Sequence, residues 1–155
     1  MTRSSPRAVD VPPRVRIERT GAVAVLTLDD ERRRNVLGPE LRTRLRAALA
    51  ELAADPGIGA LVLTGAGGCF SGGGDLASMP PAGPVESAAR MAEVAGLVQE
   101  LAQLEKPVVA AVTGPAAGVA VGLVVANFAY LYPILTDQLI AYSQWLSRMW
   151  LRSWI

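Results

Sequence analysis

The chain predicts an α/β fold made of parallel βαβ units. Two observations carry that expectation. Short apolar runs alternate along the sequence with longer segments whose apolar residues recur every three or four positions. The resulting order after a first hairpin, strand and helix by turns, is the order that lays successive strands parallel. A third observation places the chemistry: one apolar run leads directly into the glycine-rich loop Thr64-Gly65-Ala66-Gly67-Gly68-Cys69-Phe70-Ser71-Gly72-Gly73-Gly74-Asp75-Leu76.

Each element has its own signal. Residues 1–13 hold three prolines and little apolar content, and are expected to form a disordered leader. Val15-Arg16-Ile17 alternates as an edge strand does, Gly21 supplies a turn, and Val23–Leu28 continues as a second strand, so a hairpin is expected. Asp29–Arg34 is a polar loop. From Pro39 to Ala54, Leu41, Leu45, Leu49 and Leu52 form one apolar stripe, with proline in the first helical turn and Pro56-Gly57 beyond the end. Ala60–Leu63 is a buried strand. After Pro80, Pro81 and Pro84 a second helix is expected over 85–105. Pro107–Val112 reads as another strand, Gly114-Pro115 as a turn, and 116–126 as a third, very apolar helix.

Composition removes whole classes of chemistry. The 155 residues suffice for one domain with a real core. Histidine is absent, which excludes Ser-His-Asp and Cys-His catalysis, imidazole bases and histidine-ligated metal. No metal site is expected. The single cysteine, Cys69, excludes a disulfide framework and fits a reducing compartment, so a cytoplasmic location is expected. The formal charge of +1 gives no reason to expect a nucleic-acid partner. Fourteen arginines stand against one lysine, and eleven of them precede Ala47 among interspersed acids, the pattern of a solvated face. The N-terminal residues are basic without a following apolar run, so no secretory signal is expected.

The glycine loop suits a ligand held by the main chain. Glycine admits positive φ and lets a ligand approach backbone N–H groups, which can bind an anion or oxyanion unaided. Asp75 is placed to cap the segment after it. A dinucleotide fingerprint does not fit, because Phe70 stands where a third glycine belongs; a phosphate-binding P-loop fails for want of Gly-Lys-Ser/Thr. Cys69, with no histidine to activate it, reads as a small packed residue. Asn35 is expected to fix its loop through side-chain hydrogen bonds.

Three segments together carry a resemblance. Arg34-Asn35-Val36-Leu37, Phe70-Ser71-Gly72-Gly73-Gly74-Asp75-Leu76 and Lys106-Pro107-Val108-Val109-Ala110-Ala111-Val112-Thr113-Gly114-Pro115-Ala116-Ala117-Gly118 occur in the order and spacing of R-N-A-L, F-S-A-G-A-D-L and K-P-V-I-A-A-V-N-G-x-A-x-G. The chain resembles the N-terminal two thirds of the enoyl-CoA hydratase/isomerase (crotonase) family over roughly residues 14–126. The implied architecture is a truncated crotonase-like ββα core, 14–126, followed by a C-terminal apolar tail, 127–155, expected to be helical.

The resemblance implies an acyl-CoA thioester site in which two backbone N–H groups hold the carbonyl oxygen and the enolate that forms from it. By position the donors are Gly74 and Val119. Arg34, Asn35, Val36, Gly73, Gly74, Asp75, Leu76, Ala77, Gly118 and Val119 are the implied substrate-binding positions. The arginines before Asn35 are candidates for the CoA phosphates. No separate cofactor is implied, coenzyme A being part of the substrate, and the family's trimers imply a homo-oligomer. The sequence also departs from the pattern. Gly122 stands where family hydratases carry their first catalytic glutamate, and the second falls beyond the matching region. Asp137 is the one acid after Glu105, and it can be read as a base or as a helix cap.

A rival reading starts from hydropathy. Mean hydropathy is +0.31, residues 107–136 carry no charge, and 116–136 approaches the roughly 20 residues of a membrane span. Tyr130, Tyr132 and Trp145 could then lie at an interface. Against it, 107–112 is β-branched and Gly114-Pro115 interrupts the run. Beyond Asp137 the apolar residues fall at helical spacing, which suits packing on the domain or a neighbouring copy, or lying in a membrane surface. The alternative function is therefore an inactive family fragment that associates with partners or membranes through 116–155.

Overall fold

The computed structural model describes residues 12–75 and 83–125. Strands β1 (Arg14–Thr20) and β2 (Val23–Asp29) form an antiparallel hairpin, with Thr20 opposite Val23 and Arg14 opposite Asp29. Gly21 turns the chain between them at φ +58°, a conformation open to glycine at little cost. A 3-10 turn at Glu31–Arg33 leads to helix α1 (Pro39–Ala54), then to β3 (Ala60–Gly65), helix α2 (Pro84–Ala102) and β4 (Val108–Ala110). Residues 119–125 begin helix α3. The sheet order is β1-β2-β3-β4, with β2–β3 and β3–β4 both parallel. The expected α/β architecture is therefore present, with its hairpin at one edge and its βαβ units beside it.

The core follows from the apolar periodicities. Alternate residues of β3 are buried, among them Leu61 and Leu63, as a period of two requires. Leu41, Leu45, Leu49 and Leu52 of α1 bury the stripe read from sequence, and α1 packs against β1, β2 and α2. Leu26, Leu28, Phe70, Leu97 and Leu123 complete one continuous core. Lys106 closes the far end of α1: its Nζ donates to Leu52 O at 2.7 Å and Asp55 O at 2.5 Å. A cation belongs there, where a helix ends in unpaired carbonyls and carries partial negative charge.

Several element boundaries differ from expectation, and three have a clear physical cause. Helix α2 ends at Ala102 rather than 105, where Gln103 N turns back onto Gln99 O and Leu101 O. Strand β4 covers only Val108–Ala110 of the expected 107–112. Pairing goes one residue further, through Ala111 N to Leu63 O, before the chain folds over the glycine loop. The third helix starts at 119, not 116, because Ala116 is bridged to Ser71 and Gly118 takes φ +54°. The leader lies almost wholly outside the described residues, as do Leu76, Ala77, Asp137 and the expected tail helix.

Candidate functional site

The strand β3 ends at Gly65, and the loop beyond it is built on Asn35. That side chain is fully buried. Its Nδ2 donates to Ala66 O at 2.9 Å and Cys69 O at 2.8 Å, and its Oδ1 accepts from Asp30 N at 2.8 Å. One amide thus ties the end of β2 to both sides of the glycine loop. Arg34 and Asn35 hold φ of 55° and 53°, a left-handed pair that turns the chain into the next segment. The loop-fixing role expected of Asn35 is what the structure contains.

Three chain segments then lie side by side. Gly72 N donates to Arg34 O and Leu37 N to Gly73 O, both at 2.7 Å, while Leu37 and Gly74 form a parallel bridge. On the other side Phe70 N and Ser71 N donate to Pro115 O at 3.1 and 3.2 Å, and Ala117 N donates to Ser71 O at 3.1 Å. The buried Ser71 hydroxyl donates to Asn35 O at 2.7 Å and accepts Gly73 N at 3.1 Å. The strip 71–75 is therefore sandwiched between 34–37 and 115–118, and the three sequence motifs meet in one place.

The strip is narrow enough to demand glycine. Gly73 has φ +88°, and a Cβ there would lie 2.4 Å from Ala117 O. This contact brings the Gly73–Gly74 peptide against the start of α3. The same peptide has a fixed direction. Its carbonyl accepts Leu37 N, no peptide bond is cis, and in a trans unit the N–H points opposite to the C=O. Gly74 N–H therefore points away from Leu37. Among the described residues neither Gly74 N–H nor Val119 N–H donates to a protein acceptor. Both residues are partly exposed. Val119 is the first residue of α3, where N–H groups are unpaired and the helix dipole is positive. Two such donors on adjacent segments can hold an oxygen that gains negative charge.

Comparison with known proteins fixes the family. The enoyl-CoA hydratase/isomerase family matches residues 18–136. The chain belongs to this family. It is 43% identical over 115 residues to a Thermus thermophilus protein named provisionally as an enoyl-CoA hydratase, the match covering 72% of this chain and 45% of that protein. It is 32% identical over 137 residues to 4-chlorobenzoyl coenzyme A dehalogenase-2 of an Arthrobacter species, covering 86% of this chain and 49% of the relative. Among solved structures, an enoyl-CoA hydratase/isomerase from Xanthobacter autotrophicus Py2 aligns with TM-score 0.70 at 32% identity, over 73% of this chain and 43% of that one. The chain spans about half the length of the curated relatives it matches. Membership of the enoyl-CoA hydratase/isomerase family supports an acyl-CoA-related, crotonase-like function.

Within this crotonase-type fold the sequence-predicted positions separate into groups. Gly73, Gly74, Gly118 and Val119 come together at the junction just described. Arg34 is exposed and contributes its carbonyl, not its guanidinium, to the loop. Val36 lies against Gly72, with its Cγ1 3.2 Å from where a Gly72 Cβ would be. Asp75 is buried, and its carboxylate pairs with the Arg33 guanidinium. It also lies beside the start of α1, where a Cβ on Gly38 would be 3.1 Å from Asp75 Oδ2. The expected capping partner, the segment after Asp75, is outside the described residues; the helix it borders is the earlier one. Cys69 is buried, with Sγ 3.4 Å from Pro115 O, as a packed residue. Gly122 faces α2: a Cβ there would lie 3.2 Å from Val98 Cγ2.

Two arginines escaped the sequence reading. Arg33, expected in a polar loop and as a candidate for the CoA phosphates, pairs instead with Asp75. Arg42 belongs to the expected solvated face, yet it is buried. Its Nη1 donates to Leu37 O at 2.9 Å and its Nη2 to Glu93 Oε1 at 3.0 Å. The usable signal for Arg42 was its place beside Leu41 and Leu45 on the apolar stripe. Among the described residues, no group of three or more His, Cys, Asp or Glu could hold a metal ion, and no helix is long and apolar enough to cross a membrane.

Proposed function

We propose that this chain binds an acyl-CoA thioester, its carbonyl oxygen lying between the N–H groups of Gly74 and Val119. The observation that carries the reading is the Gly73–Gly74 peptide, turned by Leu37 so that its N–H points away from that strand, and packed against Ala117-Gly118 at the head of α3. Backbone donors in this arrangement favour an enolate over its parent thioester, because they bind negative charge as it develops. The relatives' names, enoyl-CoA hydratase and 4-chlorobenzoyl coenzyme A dehalogenase among them, share a CoA thioester as the chemical handle. Coenzyme A then arrives as part of the substrate, and no separate cofactor takes part.

The reaction branch we assign is hydratase or isomerase chemistry with impaired turnover. Gly122 occupies the position of the family's first glutamate and presents no proton-transferring group. Asp137 is the candidate base. The test is calorimetric titration with butyryl-CoA and with free CoA. The chain should prefer the thioester, and Gly74→Pro, which removes one donor, should reduce that preference. Equal affinity for both ligands, before and after the change, would refute the site.

A second reading has one observation in its favour. Val109, Val112, Val121 and Val125 are exposed on and after the edge strand β4. An inactive family member could associate through this surface, as a homo-oligomer or on a membrane. We place the protein in the cytoplasm. Liposome pelleting and light scattering separate these outcomes.

A further inference from the structure

We propose that Val98 is the specificity-determining residue for the acyl group, closing the site where α2 meets α3. The inference rests on the reading that Gly74 and Val119 hold the thioester oxygen. Val119 and Gly122 lie three residues apart and so share one face of α3. With no side chain at 122, α2 closes on that face. Both Val98 methyls reach the place of a Gly122 Cβ, at 3.2 and 3.7 Å. Val98 and Val119 pack on the core and are each partly exposed. Beside the Val119 N–H there is thus an apolar surface of two valines, with Val98 as the wall at its end. Position 122 is where family hydratases carry a glutamate. Here Val98 takes that side-chain space, so an acyl group meets methyl groups in place of a carboxylate.

The distribution of charge sets the direction in which a thioester lies. The strip 71–75 has 34–37 on one side and 115–118 on the other. Arginines 32–34 lead into the first side. The second side is uncharged: residues 107–125 contain no charged side chain. The α2 segment nearest to it buries Val94, Leu97 and Leu101 around Val98. A CoA thioester joins an anionic carrier to an apolar acyl group. The acyl group gains by leaving water on the valine side, and the carrier's phosphates gain on the arginine side. Chain length follows from helix geometry. From Val119 to Gly122 the helix rises about 4.5 Å, close to the span of three carbon–carbon bonds of about 1.5 Å each. A butyryl chain therefore ends at Val98, and a hexanoyl chain runs into it.

The experiment measures, by calorimetric titration, the affinities of the full chain for free CoA, butyryl-CoA and hexanoyl-CoA. The proteins are the wild type, Val98→Ala, Val98→Ile and Val15→Ala. Val15 is another partly buried valine packed on the core, but on β1, at the sheet edge opposite β4. Each methylene taken out of water is worth about fourfold in affinity. Val98→Ala makes room for one or two of them, so hexanoyl-CoA should gain roughly four- to fifteenfold relative to butyryl-CoA. Val98→Ile should shift that ratio the other way. CoA affinity should stay constant, and Val15→Ala should match the wild type. Should the alanine variant unfold, Val98→Ile, which opens no cavity, reads the same ratio. A hexanoyl-to-butyryl ratio unchanged in the Val98 variants overturns the proposal. A loss shared equally by all three ligands assigns Val98 to packing alone and overturns it too. A wild type with no preference for butyryl-CoA over CoA rejects the oxyanion reading itself, a result distinct from both.

Discussion

Replacing Asn35 by Ala is the sharpest perturbation of the site's framework. The side chain makes three hydrogen bonds at 2.8–2.9 Å and is fully buried, so no water can substitute for it. Its loss leaves Asp30 N, Ala66 O and Cys69 O each without this partner. A buried group deprived of its hydrogen bond costs about 1–3 kcal/mol, and partial relaxation keeps three such groups toward the low end, about 3–4 kcal/mol in all. Asn35 also holds φ +53°, a conformation that asparagine tolerates better than alanine, which adds to the loss. For a domain of this size, about 3 kcal/mol corresponds to a fall in Tm of about 6–12 °C. Equilibrium urea unfolding gives the free energy directly. Asn35→Asp adds a test of sign. Two carbonyl oxygens would face a carboxylate oxygen, so folding favours the protonated acid and its pKa rises. The folded state then binds more protons than the unfolded one, and stability falls as pH climbs from the ordinary aspartate value, about 3.9, through the raised folded value. The aspartate variant should therefore be markedly less stable at pH 7 than at pH 4, relative to wild type at the same pH. An alanine variant within about 1 kcal/mol of wild type, the worth of one ordinary hydrogen bond, would show that Asn35 does not hold the loop.

Three further outcomes are expected. Gly73→Ala puts a methyl 2.4 Å from Ala117 O at φ +88°, so it should cost more than about 2 kcal/mol in urea unfolding and abolish the acyl-CoA preference; a neutral effect contradicts the packing of the strip. Water addition to crotonyl-CoA, followed at the enoyl thioester absorbance band, should run about 10²–10⁴ below a hydratase with its carboxylates in place, and a full rate would direct attention to Asp137. Deleting residues 137–155 should increase association or aggregation seen by light scattering, since the apolar surface of Val109, Val112, Val121 and Val125 stays exposed; a well-behaved monomer with and without these residues removes that expectation.

Elements whose signals are local were legible in the sequence. Helix α1 runs from Pro39 to Ala54 as read, because a leucine stripe, an initial proline and a following Pro-Gly all agree. The strands β2 and β3 were legible from their apolar runs, and β1 from its alternation. What local patterns do not record is a boundary set by a distant partner. Residues 116–118 look helical by composition, yet Ser71 draws Ala116 and Ala117 into a bridge and delays α3. The same holds for the site. The candidate donors were placed by motif position, but the turn of the Gly74 N–H depends on Leu37, which lies far off in sequence. Arg33 and Arg42 read as surface charge because their partners, Asp75 and Glu93, come from other segments.

The sandwich of 34–37, 71–75 and 115–118 also has a kinetic meaning. Its bonds join residues 36 and 46 positions apart, as in Ser71 to Asn35 and Ala117 to Ser71. Closing such loops costs chain entropy before the contacts are made, so they belong to the late stages of folding. The hairpin β1–β2 and helix α1 can form from neighbours alone; the junction exists only once β4 has joined the sheet and the chain after it has crossed back over the glycine loop. Defects at Asn35, Ser71 or Gly73 are therefore expected to act mainly by hastening unfolding, which unfolding rates in urea would show. The junction of these three segments is then the last part of the described fold to form and the first to come apart.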